Sequence, residues 1–284
     1  MVLSSGVTML NNSVKNAIRL LIPLAVRKRL AVWVNQQEWI DRDRRAWWST
    51  ELVRDFAEKD VNEYHKFCWA HHLGYAAPYE VASRFGAEAM RPSRHLFFSE
   101  LRHCLERLGI ATNEIDSVFE VGCSLGYQLR YLETDLFPRA TVLEGVDIDQ
   151  YAIRTGQEHL SENGSKIKLR CGDMQELESL LEGRVFDIII CTGVLMYLQE
   201  AEATDIMRTM LSHCRVMVAM AGLAHPSLDN AALDQSDVRE RDQTFIHNLD
   251  RMVRDSGGSV LKRRWDGSRQ VEGQTIYFVF ATPR

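Results

Sequence analysis

The stretch Ser117-Val118-Phe119-Glu120-Val121-Gly122-Cys123-Ser124-Leu125-Gly126-Tyr127 decides the fold. Val118, Phe119 and Val121 are β-forming residues and predict a short buried strand. Gly122 and Gly126 lack a Cβ, so the chain between them can turn sharply and let a ligand approach the backbone. A helix is expected from Tyr127 to Leu132, its free N–H groups aimed at that ligand. A strand, a glycine loop and a helix in this order predict a nucleotide-type cofactor site at the carboxyl edge of a parallel sheet.

The dinucleotide fingerprint G-x-G-x-x-G would need glycine at 122, 124 and 127. The chain has Gly122, Ser124 and Tyr127, which weighs against a nicotinamide enzyme. The pattern instead resembles motif I of the class I methyltransferases that use S-adenosylmethionine, E/D-x-G-x-G-x-G. Glu120, Gly122 and Gly126 match it, and Ser124 stands where the middle glycine would be. Serine is small enough to keep the close approach if its φ is negative; a positive φ would strain it.

Downstream segments repeat the strand-then-acid theme. Thr141 to Asp147 reads as a second strand ending in a carboxylate 25 residues after Gly122, near the spacing of about 20 expected for an acid that binds ribose hydroxyls. Asp149 precedes a helical run and reads as its N-cap. Lys166 to Asp173 is a third strand ending in an acid. The resemblance implies that Asp173 meets the adenine amino group with Met174 against the ring, while Asp173 and Glu176 also read as a helix-cap pair. Val185 to Thr192 supplies a fourth strand, and its apolar run Ile188-Ile189-Ile190 implies burial on both faces. The segment Thr192-Gly193-Val194 resembles motif IV of the same family.

The resemblance covers residues 115–284. It implies an α/β fold: a Rossmann-like seven-stranded methyltransferase sheet, mostly parallel with the last strand antiparallel, carrying an N-terminal helical layer. It implies S-adenosylmethionine as cofactor, held by Glu120, Gly122, Ser124, Gly126, Asp147, Ile148, Asp173, Met174 and Thr192. A helix is expected over 201–213, a fifth strand over 215–221, and a helix beginning within 239–248 and stopping at Gly257-Gly258. Strands over 259–264 and 275–281 complete the sheet.

The chain ahead of this region divides, on its sequence, into a basic amphipathic arm over 1–45 and a helical cap over 46–114, with a hinge at Gly109–Asn113. Residues 1–45 carry net charge +5 in a chain of net −5, so the remainder is a poor polyanion binder and nucleic acid is not the expected substrate. Ile18 to Val26 is too short to span a bilayer and lacks a signal-peptide cleavage site. Pro23 can open a helix, on which Val26, Leu30, Trp33 and Val34 share one face. A basic helix with tryptophan on its apolar face can lie on an anionic membrane through residues 15–36, or pack on the protein's own core or a partner. Trp48, Leu52 and Phe56, and Phe98, Leu101, Leu105 and Leu108, follow helical spacing, and Tyr64 to Tyr75 is rich in aromatics and histidine; the resemblance implies a layer that covers the cofactor cleft and adds to the acceptor pocket, while each single histidine there reads as part of an ordinary core.

Six cysteines form no C-x-x-C pair and read as buried thiols of a reducing, cytoplasmic compartment. No histidine pair has zinc-enzyme spacing, and no metal is expected. Methyl transfer is an in-line displacement on an already activated donor, so the protein chiefly aligns the acceptor and excludes water. A hydroxyl acceptor also benefits from a base, for which His225, His247 and Tyr197 are the candidates. The segment after the fourth strand lacks the Asn/Asp-Pro-Pro-aromatic sequence of the superfamily's amino-group methylating members, which favours oxygen. The layout resembles bacterial enzymes of surface-polysaccharide pathways, which implies a sugar or lipid-linked glycan acceptor at the inner membrane face. The competing expectation is a scaffold that keeps the cofactor fold without catalysis.

Overall fold

The computed structural model describes residues 21–73, 85, 90–240, 242–265 and 276–284, except the side chain of Arg42. Residues 1–20 of the expected arm, Gly74 and Tyr75 of the aromatic segment, Arg241, and Thr275 of the expected last strand lie outside them. The chain separates into two compact units, Met1–Tyr79 and Glu80–Arg284.

In the second unit, seven strands form one sheet. They are β1 (Ser117–Val121), β2 (Val142–Asp147), β3 (Lys168–Cys171), β4 (Phe186–Thr192), β5 (Cys214–Leu223), β8 (Ser259–Trp265) and β9 (Ile276–Thr282). Their order is β3-β2-β1-β4-β5-β9-β8. β1 runs parallel to β2 and β4, and β2 to β3, as β4 does to β5. β9 is antiparallel to both β5 and β8. The order reverses between β1 and β4, and such a switch point opens a crevice at the carboxyl ends of the two strands.

Period-2 alternation sorts the sheet's two faces. Val118, Ile188, Ile190 and Ala219 share one core with Phe278 and Phe280. Helix α4 (Pro92–Arg107) packs there through Phe97, Phe98, Leu101 and Leu105, and Phe97 stacks on Phe280 at 5.3 Å between ring centres. The same face receives α5 (Tyr127–Tyr131), which continues as a π turn over Leu132–Leu136, and α6 (Gln150–Glu162). Phe119, Val121, Ile189, Cys191 and Met220 line the opposite core. That core is covered by α7 (Leu177–Leu181), α8 (Glu200–Ser212) and α9 (Leu249–Asp255).

One expected helix begins later than the sequence suggested. Asp237–Arg239 (β6) and Thr244–Ile246 (β7) pair as a small antiparallel ribbon, and α9 starts only after Asn248, whose side chain accepts from the Arg251 N–H at 2.9 Å. Thr244, Phe245 and Ile246 are strand formers, and the capping asparagine fixes the start.

The first unit holds α1 (Leu24–Asn35), α2 (Arg42–Glu51) and α3 (Val61–Ala70). The apolar stripe expected on α1 divides: Leu30 and Val34 pack with buried Ala31 against Val53, Phe56 and Tyr64, while Val26 and Trp33 are exposed. Arg27, part of the basic arm, is buried and paired with Asp55 at 2.5 and 2.8 Å. Lys28 lies over the Phe56 ring at 3.6 Å. No described helix is long and apolar enough to cross a membrane. All six cysteines are free; five are buried and Cys171 is exposed.

Candidate functional site

The switch point gathers polar side chains that nothing in the core requires. Glu120 on β1 and Thr192 on β4 continue the face of Val118 and Ile190, and both are buried. Gln128, in the first turn of α5, joins them: its amide N donates to Glu120 Oε1 at 2.6 Å and to Thr192 Oγ1 at 3.0 Å. Glu120 Oε2 has no hydrogen-bond partner among the described residues. Burial pushes this carboxyl well above its usual range, opposed in part by the positive charge of Arg94. A buried carboxyl left half-bonded is costly unless a ligand completes it.

The loop from Gly122 to Gly126 lies beside this cluster. Gly122 and Gly126 have φ of +74° and +80°. A Cβ at Gly122 would come within 2.2 Å of Val194 in the loop after β4, so glycine lets the two loops of the crevice approach. Ser124 has φ of +50°, the strained left-handed conformation that glycine would adopt freely. The local strain is of order 1 kcal/mol. What holds it is the Ser124 N–H, which donates to Asp147 Oδ2 at 2.8 Å.

Asp147 ends β2, half-buried, and its Oδ1 accepts from the Asp149 N–H at 2.9 Å. Burial raises its pKa to about 6 against the pull of these N–H donors. Each oxygen has spent one acceptor position and keeps another, so the carboxylate is fixed in place with capacity for hydroxyl donors. Ile148 follows it, half-buried. Asp149 caps α6 through the Ala152 N–H at 3.0 Å, as its sequence position suggested. Asp173, at the end of β3, accepts from the Gln175 N–H at 3.0 Å, so the capping reading holds for one oxygen; Met174 packs at the edge of the neighbouring core.

The three candidate bases fare differently. His247 is buried, with Nε2 at 2.9 Å from the Leu195 carbonyl and Nδ1 at 2.6 Å from Ser236 Oγ. Burial lowers its pKa, and a neutral ring that donates from Nε2 and accepts at Nδ1 satisfies both contacts. It ties the loop after β4 to the segment that leads into the β6–β7 ribbon. His225 Nδ1 accepts from the Ser227 and Leu228 N–H groups at 3.1 and 2.9 Å, and Nε2 stands 3.3 Å from Asp237. One nitrogen serves its own loop and the other faces β6. Tyr197 lies half-buried in the turn directly after β4, at the functional edge. Among the described residues no group of three or more His, Cys, Asp or Glu could hold a metal ion.

Sequence reasoning missed Gln128. Its signal is a polar residue two positions after Gly126, in the first turn of the expected helix.

Residues 118–217 match the sequence profile described as "Methyltransferase domain". No protein of curated function matches the chain in sequence. Among solved structures, a methyltransferase from Leishmania major that depends on S-adenosylmethionine superposes with a TM-score of 0.57 at 12% identity, over 80% of this chain and 85% of its own. The 4+2 cyclase SpnF gives 0.52 at 13% identity, over 67% and 81%. Magnesium protoporphyrin IX methyltransferase from Synechocystis PCC 6803, with bound S-adenosylmethionine, gives 0.49 at 15% identity, over 83% and 97%.

Proposed function

We propose that this chain, whose residues 118–217 match a methyltransferase domain, transfers a methyl group from S-adenosylmethionine to a hydroxyl oxygen of a small acceptor. The observation that supports the cofactor part of this reading is the unpartnered Glu120 Oε2 in the crevice between β1 and β4. A buried carboxyl beside a glycine loop fits an ammonium group, and Asp147 fits vicinal ribose hydroxyls. S-Adenosylmethionine carries both. Bound there, it supplies an activated methyl group; the protein's own tasks are to orient the acceptor in line and exclude water.

Thr192, Gly193 and Val194 stand where the superfamily's amino-group methylating members carry the carboxamide or carboxylate of an Asn/Asp-Pro-Pro-aromatic sequence. The lack of such a group supports oxygen as the acceptor atom. With His225 and His247 engaged inside the loops, Tyr197 is the side chain we assign to the acceptor's rim. The acceptor class we favour is a sugar or lipid-linked glycan hydroxyl. Likeness to a cyclase concerns the fold only, since a fold does not fix the reaction.

The test is transfer of a labelled methyl group, followed as S-adenosylhomocysteine release, across paired hydroxyl- and amine-bearing acceptors. Turnover confined to hydroxylated members supports the reading, and turnover confined to amines overturns the choice of oxygen. Cofactor binding with no turnover on any acceptor would favour a scaffold.

A further inference from the structure

Asn230, in the loop after β5, is fully buried where packing alone asks for an apolar side chain. A small apolar cluster of Leu223, Leu233 and Ile246, with Met196 against it, already fills the space beneath that loop. A buried carboxamide is costly unless its polar atoms are bonded, and here they are. Its Oδ1 accepts from the His225 N–H at 2.9 Å, and its Nδ2 donates to the Leu223 and His247 carbonyls, both at 2.9 Å. Both N–H groups of the amide are therefore used. Two of the three bonds fold the loop onto the end of its own strand. The third leaves the loop and reaches the short segment between β7 and α9.

From there the path continues. The His247 ring gives Nε2 to the Leu195 carbonyl at 2.9 Å. Leu195 opens the turn Leu195–Tyr197 after β4, and its carbonyl also accepts from the Leu198 N–H at 3.0 Å. β4 and β5 are parallel neighbours with Thr192 opposite Ala221, and the Gly193 N–H bonds to the Ala221 carbonyl at 2.7 Å. The turn that carries Tyr197 and the loop that carries His225 thus leave the sheet side by side, at the edge where the crevice opens. Asn230 and His247 form a buried bridge from one to the other.

A satisfied polar network in a low-dielectric interior rigidifies its surroundings and specifies one arrangement of them. We propose that Asn230 and His247 are positioning residues for methyl transfer: their bridge holds the turn after β4, with Tyr197, in register with the loop after β5, and so fixes the rim on which the acceptor is aligned. The inference rests on the reading above that the acceptor meets this rim, and it adds two residues outside the 118–217 methyltransferase segment. Both act through other groups. In-line displacement tolerates little misalignment, since a shift of about 1 Å in the groups that orient a reactant can cost about a hundredfold in rate. The signature of such a bridge is a loss of turnover without a loss of cofactor affinity.

Hydrogen exchange and turnover together test it. Asn230→Ala is expected to speed amide exchange about tenfold in residues 223–233 and also across the bridge in residues 195–198, while β1 keeps its protection. His247→Ala should open residues 195–198 to a similar extent, and the double variant no further, because both substitutions break one bridge. His247→Gln should recover part of the protection, since its amide can donate to the Leu195 carbonyl. On the acceptor found with the labelled methyl group, Asn230→Ala should lower kcat at least about tenfold. S-Adenosylhomocysteine affinity, read by calorimetry, should stay within about twofold. Faster exchange confined to residues 223–233 would make Asn230 a local loop brace and overturns the bridge, as does additive opening of the turn in the double variant or an unchanged kcat. If Asn230→Ala loosens the whole fold, β1 included, the His247 pair decides: no recovery of protection or turnover in His247→Gln over His247→Ala overturns the proposal. Absence of turnover on every acceptor overturns the proposed function instead, and the bridge then stands or falls on exchange alone.

Discussion

Asp147 holds the glycine loop through the Ser124 N–H and keeps acceptor capacity toward the crevice. Its pKa of about 6 makes that second role sensitive to pH. Ribose hydroxyls donate best to the ionised carboxylate, so cofactor affinity should fall as pH drops through about 6, approaching tenfold per unit below it. Asp147→Asn should bind weakly with a flat profile; calorimetry between about pH 7.5 and 5 separates the two, and a wild-type profile flat over that range would sink the idea. The stability term has the opposite sign. An acid whose folded pKa lies above its unfolded value favours the fold as pH falls, here from about 6 toward the unfolded 3.8. At this scale the sequence told which residues form the loop but not their conformation. Ser124 adopts a positive φ because its N–H must meet a carboxylate 23 residues away, and local propensity holds no record of that. Gln128 was missed for the same reason: its significance depends on Glu120, which it reaches only through the fold.

The strands were the most legible elements, because a run such as Ile188-Ile189-Ile190 admits few structures besides a doubly buried strand. The segment from Arg239 to Asn248 was less so. Its charged first half masked a three-residue strand formed by Thr244–Ile246, whose partner is Asp237–Arg239. His247, next to that strand, bonds to Leu195 O and Ser236 Oγ and is predicted to govern part of the acid stability of the ribbon. Its folded pKa is lowered by burial, so the unfolded chain takes up the proton first, at about 6.5. Stability from this group is fully present above that value and declines as pH falls below it. His247→Gln should cost about 1–3 kcal/mol near neutrality through lost buried hydrogen bonds. The variant should also show a shallower decline between about pH 7.5 and 5.5. Denaturant unfolding at the two pH values is the measurement. An equal decline in both proteins would mean that His247 does not titrate against folding, and the wild-type slope must be read as a difference because Asp147 works in the other direction.

Each compact unit has its own core, and the two units meet in sequence at Tyr79/Glu80. Helical periodicity could not reveal this. The stripe Phe97, Phe98, Leu101 and Leu105 reads like any bundle helix, yet its partners are Phe278 and Phe280 at the far end of the chain. The first unit consumes much of the basic character that suggested a membrane arm, since Arg27 pairs with Asp55 and Lys28 sits on Phe56. α1 and its flanks leave large apolar side chains outside: Leu21, Val26, Trp33 and Trp39 are 81, 51, 51 and 77% exposed, beside exposed Arg29, Gln36, Glu38 and Asp41. We propose that this surface rests on an anionic lipid face, with tryptophan insertion as the main attraction. A buried aromatic side chain contributes about 1.5–3 kcal/mol, and a basic residue near such a surface about 1 kcal/mol. Trp33→Ser with Trp39→Ser should therefore reduce partition onto anionic vesicles at least about tenfold, while Arg29→Ser should reduce it only about fivefold and only at low salt. Cofactor affinity of the double variant should match that of the unmodified protein. Vesicle sedimentation with a parallel cofactor titration decides the matter: equal pelleting of the double variant and the unmodified chain would remove the lipid surface from consideration. Loss of cofactor binding with loss of pelleting would show that the substitutions had disturbed the fold and not the surface.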